Sequence, residues 1–150
     1  MAETKNDMKR NLLVSILSLI ISITFISAQK QGKASYYSHK LHGNHTSDGG
    51  KYHRDSLTCA HRTYPFGTLL KVRNLKTDKV VIVKVTDRGP HQKRLLIDLS
   101  YSAAKELGII QQGIATVEIT RMDSTSLADF LTQYSIIANK KAFTDINSSK

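Results

Sequence analysis

Val80-Val81-Ile82-Val83-Lys84-Val85-Thr86-Asp87-Arg88-Gly89-Pro90 is the stretch whose reading decides the fold. Its first six residues are short, β-branched and bounded by polar residues, which predicts a buried strand. Asp87 then stands where the strand stops and Gly89-Pro90 turns the chain. Downstream, Ile97-Asp98-Leu99-Ser100 places a second carboxylate between apolar neighbours, at the end of another expected strand. Two acids delivered to one rim of a β-structure suit acid/base chemistry on a sugar. Asp is also a common turn residue and N-cap, so the pair alone does not decide between chemistry and structure.

Working outward, the other elements are short. Gly32–Ser38, Leu57–His61, Thr68–Asn74, Lys79–Thr86, Leu95–Asp98 and Ala115–Arg121 read as strands. Thr77-Asp78 is the hairpin connection between the third and fourth. Residues 39–56 are polar and glycine-rich and read as a long loop, a length usually tied to function or mobility. Ser100 is a suitable N-cap, and Gly108 a suitable stop, for a two-turn helix Tyr101–Leu107. Six strands this short favour a closed barrel, because an open sandwich would leave unprotected edges. The expected fold class is therefore mainly all-β: a six-stranded barrel with one short helix.

The 150 residues suit one domain with short appendages. Residues 1–28 read as a signal peptide: Lys9-Arg10, an apolar run from Leu12 to Ile26, and Ile26-Ser27-Ala28 as a cleavage site. Met8 offers an alternative start, and an uncleaved anchor is the rival reading. No Cys follows the run, so lipid anchoring through an N-terminal Cys is not expected, and no membrane span is expected after cleavage. Residues 29–122 form the barrel domain. Residues 123–150 read as a partly helical, poorly ordered tail.

The net charge is +10. Residues 1–28 hold three cations against two acids, so cleavage leaves +9. An exported cation is drawn to anionic envelope polymers. Nucleic acid is not expected as a partner, since no aromatic-interleaved basic motif accompanies the charge. The one cysteine, Cys59, excludes an intramolecular disulfide. With His61 two residues on, it raises a Cys/His nucleophile against the commoner role of a small buried hydrophobe. His39, His42, His45 and His53 are enough ligands in number for zinc, but their spacing matches no standard site, and no metal is assigned.

These motifs together resemble the rare lipoprotein A (RlpA-like) family. The matching stretches include Gly32-Lys33-Ala34-Ser35-Tyr36-Tyr37, Leu57-Thr58-Cys59-Ala60-His61-Arg62-Thr63, Pro65-Phe66-Gly67-Thr68, Val85-Thr86-Asp87-Arg88-Gly89-Pro90 and Ile97-Asp98-Leu99-Ser100. The resemblance implies a double-psi β-barrel. It also implies endolytic lytic transglycosylase activity on peptidoglycan strands stripped of stem peptides, without a cofactor, in the periplasm or cell envelope. The chain is expected to act as a monomer. The family pattern points to His61, Asp87 and Asp98 as catalytic. Asp98 is assigned the proton-donating role, Asp87 the second carboxylate, and His61 a hydrogen bond to one of them or to substrate. Tyr36 or Tyr37 is expected to stack on sugar rings while the other enters the core. Arg88 is expected to pair with the lactyl carboxylate of the muramic sugar, or with Asp87. Thr46 and Asp48 are candidate substrate contacts. The family pattern also expects a glutamate after Thr-x-x-Gly, where this chain has Gly50. That departure keeps a second function open: a non-catalytic, expansin-like protein that binds glycan and loosens the wall.

Overall fold

The computed structural model describes residues 11–12 and 29–148, without the side chains of 39 and 141–148. The expected export signal lies, but for 11–12, outside the described residues. Six strands, β1 (Lys30–Tyr36), β2 (Thr58–Ala60), β3 (Leu69–Asn74), β4 (Val80–Asp87), β5 (Leu95–Leu99) and β6 (Ala115–Arg121), close into a barrel in the order β1-β5-β2-β4-β3-β6. Two neighbouring pairs, β1 with β5 and β2 with β4, run parallel, and the other four pairs are antiparallel. This is a six-stranded double-psi β-barrel. Closure satisfies the strand edges that such short elements would otherwise expose.

Alternation fills the interior. Val81, Val83 and Val85 of β4 point inward with Leu70 and Val72 of β3, Ile97 and Leu99 of β5, and Val117 and Ile119 of β6. Each such side chain contributes roughly 1.5–3 kcal/mol when fully buried. Helix α1 (Tyr101–Leu107) adds Ala103, Ala104 and Leu107 to the same core. The Ser100 side chain accepts the Ala103 N–H, and Gly108 ends the helix at φ 75°, left-handed backbone that suits glycine. Cys59 is fully buried in this cluster, and burial pushes its thiol pKa up, so it is packing rather than a nucleophile.

Three local expectations shift. β1 begins at Lys30 and ends at Tyr36, because it is paired on both sides, to β6 early and to β5 late. Tyr37 therefore stands just beyond the strand. The loop of residues 39–56 is more structured than its composition suggests. A 3-10 turn (His39–Leu41) and a bridge between His45 and Lys51 organise it. Tyr52 is buried beneath it, its hydroxyl accepting the Tyr101 N–H at 3.2 Å. Finally, the C-terminal segment is more helical than expected. Helix α2 (Ser124–Ser148) contains neither Gly nor Pro, so nothing in it breaks a helix. Among the described residues, no helix is long and apolar enough to cross a membrane.

Candidate active site

The barrel register sets the site. On β2, Ala60 is the cross-strand partner of Asp98 on one side and of Asp87 on the other. On β1, Ser35 is the partner of Asp98. Ser35, Asp98, Ala60 and Asp87 thus form one row across β1, β5, β2 and β4. The two acids are two strand spacings apart along the backbone, roughly 10 Å. Both line one open cleft of about 460 Å³, together with Ser35, Tyr36, Tyr37 and His91. That volume is within the range of small-molecule sites.

The two carboxyls have opposite environments. Burial disfavours the ionised form of Asp98 and pushes its pKa up. A hydrogen bond from the Ser35 hydroxyl and the charges of His91 and Arg62 oppose that rise, while the Asp87 charge adds to it. Burial also acts on Asp87, but there hydrogen bonds prevail and lower its pKa. The Tyr37 hydroxyl donates to Oδ2 at 2.7 Å. The Ser47 hydroxyl and N–H donate to Oδ1 at 2.5 and 2.9 Å, and the Arg88 N–H at 2.8 Å. Tyr37 itself is pushed up by burial and by its bond to Asp87, which keeps it a neutral donor. The surroundings thus shift the two acids in opposite directions, Asp98 towards its protonated form and Asp87 towards its ionised form.

His61 is placed differently from the two acids. It is 3% exposed and is not among the residues lining the cleft. Its Nδ1 accepts the N–H groups of Thr63 and Tyr64 at 3.2 and 3.1 Å. Burial first, then the charges of Lys30, Arg62 and Arg88, lower its pKa to about 4. The imidazole thus holds the turn after β2, and its link to Asp87 is through the backbone, His61 N–H to the Asp87 carbonyl at 3.1 Å.

Arg88 is committed elsewhere too. It donates to the carbonyls of His61 and Tyr64 at 3.2 and 2.9 Å and lies 3.7 Å over the Phe66 ring. Among the described residues it makes no ion pair with Asp87. Of the tyrosines, Tyr37 faces Asp87 and packs on Tyr52, ring centres 4.6 Å apart. Tyr36 packs against the core and donates to the Ile110 carbonyl at 3.0 Å, but still reaches the cleft wall. Thr46 and Asp48 are bonded to each other at 2.6 Å and line a separate cavity. His42 and His53 meet edge-to-face with ring centres 4.7 Å apart, and among the described residues no group of three metal-ligating side chains forms.

The sequence reading missed Ser35, Ser47 and His91. Ser35 is two residues before Tyr37 and shares its face by alternation, a signal that was present. Ser47 comes from the long loop, where no periodicity exists to aim a side chain.

A family model described as "Lytic transglycolase" matches residues 29–119, the whole barrel. The chain belongs to the lytic transglycolase family. It is similar to the probable endolytic peptidoglycan transglycosylase RlpA of Aquifex aeolicus, 49% identical over 88 residues, which are 59% of this chain and 39% of that protein. It is similar also to the endolytic peptidoglycan transglycosylase RlpA of Neisseria meningitidis, 38% identical over 117 residues, 78% of this chain and 46% of that protein. The chain thus spans less than half the length of these relatives. Among solved structures, the Streptomyces papain inhibitor aligns with a TM-score of 0.54 at 22% identity, covering 66% of this chain and 98% of that one. An expansin of Clavibacter michiganensis aligns with a TM-score of 0.51 at 25% identity, covering 65% and 52%. The lytic transglycolase family thus shares its barrel with proteins of other names.

Proposed function

We propose that this chain is an exported peptidoglycan lytic transglycosylase, cleaving between N-acetylmuramic acid and N-acetylglucosamine in glycan strands free of stem peptides. The single observation that carries the reading is the pair of carboxyls in one cleft, one pushed up and the other pulled down. The names of the relatives from Aquifex and Neisseria support the same substrate.

In this mechanism Asp98 begins protonated and gives its proton to the glycosidic oxygen, so the N-acetylglucosamine side leaves as an alcohol. The muramic C1 becomes electron-poor, and the ionised Asp87 stabilises that developing positive charge. Asp98, now a carboxylate, takes the proton from the C6 hydroxyl of the same muramic sugar as its oxygen bonds to C1. A 1,6-anhydro ring closes, Asp98 is protonated again, and no water is consumed. Tyr37 and Ser47 act by holding Asp87 ionised. His61 acts by shaping the backbone that carries Asp87. Export to the periplasm or envelope and action as a monomer belong to the same proposal.

The test is mass analysis of peptide-free glycan digested with the purified protein. Anhydro-ended products, one water lighter than hydrolysed ends, are expected. Hydrolysed ends alone would instead identify a water-using hydrolase. Gly50 favours a second reading, glycan binding without cleavage, because glycine supplies no proton or charge where the family resemblance expects an acid. Binding with no new ends of either kind would select it.

A further inference from the structure

A second polar cavity, of about 230 Å³, lies beside the cleft; its walls include Thr46, Asp48, Lys51, Thr58, Lys84 and Thr86. Thr86 immediately precedes Asp87 on β4 and by alternation faces the other way, so the cavity and the cleft are on either side of that strand end. The loop between them is tightly folded. His45 bridges to Lys51, and the Thr46 N–H donates to the Gly50 carbonyl at 3.0 Å. From this loop Ser47 bonds to Asp87 in the cleft, while Asp48 bonds to Thr46 on the cavity side.

The charge in the cavity is not balanced. Asp48 is held within the loop: its Oδ1 accepts the Thr46 hydroxyl at 2.6 Å and the Gly50 N–H at 3.0 Å, and these bonds, with the Lys84 charge, lower its pKa. Two lysines face this one acid. Among the described residues, no carboxylate is within ion-pair distance of Lys51 or Lys84. His53, at the edge, is 4.0 Å from Asp55. The hydroxyls of Thr58 and Thr86 add donors without adding charge. A pocket with a surplus cation and several hydroxyls suits a small anion. Gly50 keeps it open, since a Cβ there would stand 3.2 Å from Asp48 Oδ1 and 3.3 Å from Thr46 Oγ1.

We propose that this cavity binds a carboxylate of the glycan: the lactyl carboxylate that a muramoyl residue exposes once its stem peptide is gone. The inference rests on the glycan being the substrate. Arg88, the side chain expected to take that group, is held by two carbonyls and Phe66. Lys51 and Lys84 are exposed, and of the two only Lys84 acts on Asp48, by its charge and from beyond ion-pair distance. A stem peptide converts the carboxylate to an amide and removes its charge, so the cavity selects stripped strands.

The experiment measures binding, not turnover, using the full chain carrying Asp98→Asn. The probes are peptide-free muramoyl oligosaccharides with the lactyl carboxylates intact or reduced to alcohols. The intact form should bind about fivefold more tightly at low salt, a difference that shrinks as salt rises. Adding Lys51→Gln and Lys84→Gln should abolish the difference and leave affinity for the reduced form unchanged, which also reports a folded protein. Gly50→Glu in place of the lysine changes should likewise weaken binding of the intact form. Equal affinity for the two forms overturns the inference, as does a difference that survives loss of both lysines. Failure of the cleavage reading is seen separately, in the product masses of the unmodified protein.

Discussion

Tyr37→Phe isolates one of the interactions that favour the ionised form of Asp87. The substitution deletes the hydroxyl 2.7 Å from Asp87 Oδ2 and keeps the ring that packs on Tyr52. Asp87 retains its three donors on Oδ1, from Ser47 and Arg88. A hydrogen bond to a charged group contributes about 1.5–3 kcal/mol, and the partial exposure of Asp87 places this one at the low end, about 1.5 kcal/mol. For a domain of this size that is a fall in Tm of about 6 °C at pH 7. The loss depends on pH in a definite sense. The folded protein holds Asp87 below the ordinary value of 3.8, so this stabilisation is present above that pH and disappears as pH falls through the lower, folded pKa. Thermal unfolding at pH 7 and at the lowest pH where the fold survives should therefore show a large gap between wild type and variant shrinking towards zero. The acid limb of the activity profile should move to higher pH in the same variant. An equal loss of stability at both pH values would refute the reasoning, because a packing defect would not titrate.

Asp98→Asn should abolish release of anhydro-ended products. It should also raise stability at neutral pH relative to wild type, because burial disfavours the ionised acid; the gain should vanish below the ordinary carboxylate range, where wild-type Asp98 is protonated in both states. Denaturant melts at two pH values check both signs. His61→Ala should cost about 2–3 kcal/mol by leaving the Thr63 and Tyr64 N–H groups without their acceptor, read as a lower denaturation midpoint. In the wild type, the His61 ring resonances should show no titration midpoint between pH 5 and 8, since its pKa is lowered to about 4. Stability attributable to that histidine is lost as pH falls from the unfolded value near 6.5 towards 4.

The strands were readable because their apolar residues alternate or run continuously, as in Val80 to Val85, and helix α1 because Ser100 and Gly108 mark its ends. Closure of the barrel in its 1-5-2-4-3-6 order was not readable from periodicity, since it depends on pairing between residues far apart in sequence. The shortness of the strands pointed to closure and the family resemblance to the double-psi type, while the order itself is seen only in the structure. Asp87 and Asp98 were legible as strand-end acids. The different fates of His61 and Arg88 were not. A histidine at a strand end, or an arginine next to an acid in sequence, has the same appearance whether it turns to the cleft or to nearby backbone groups, and here carbonyls and amides of residues 61–64 captured both. Helix α2 was underestimated because a segment with few fixed apolar contacts resembles a loop, although its lack of Gly and Pro permits continuous helix.

Ala60, paired to one acid on each side, works as a spacer. Backbone ladders rather than loops set the width between the two carboxyl-bearing residues, so rearrangement of residues 45–51 or 88–94 can recut the surroundings of the acids while that width stays constant. Evolution of specificity in this barrel is thereby uncoupled from its acid pair. At residue 60, which is buried, any larger side chain would wedge the row apart and change that width.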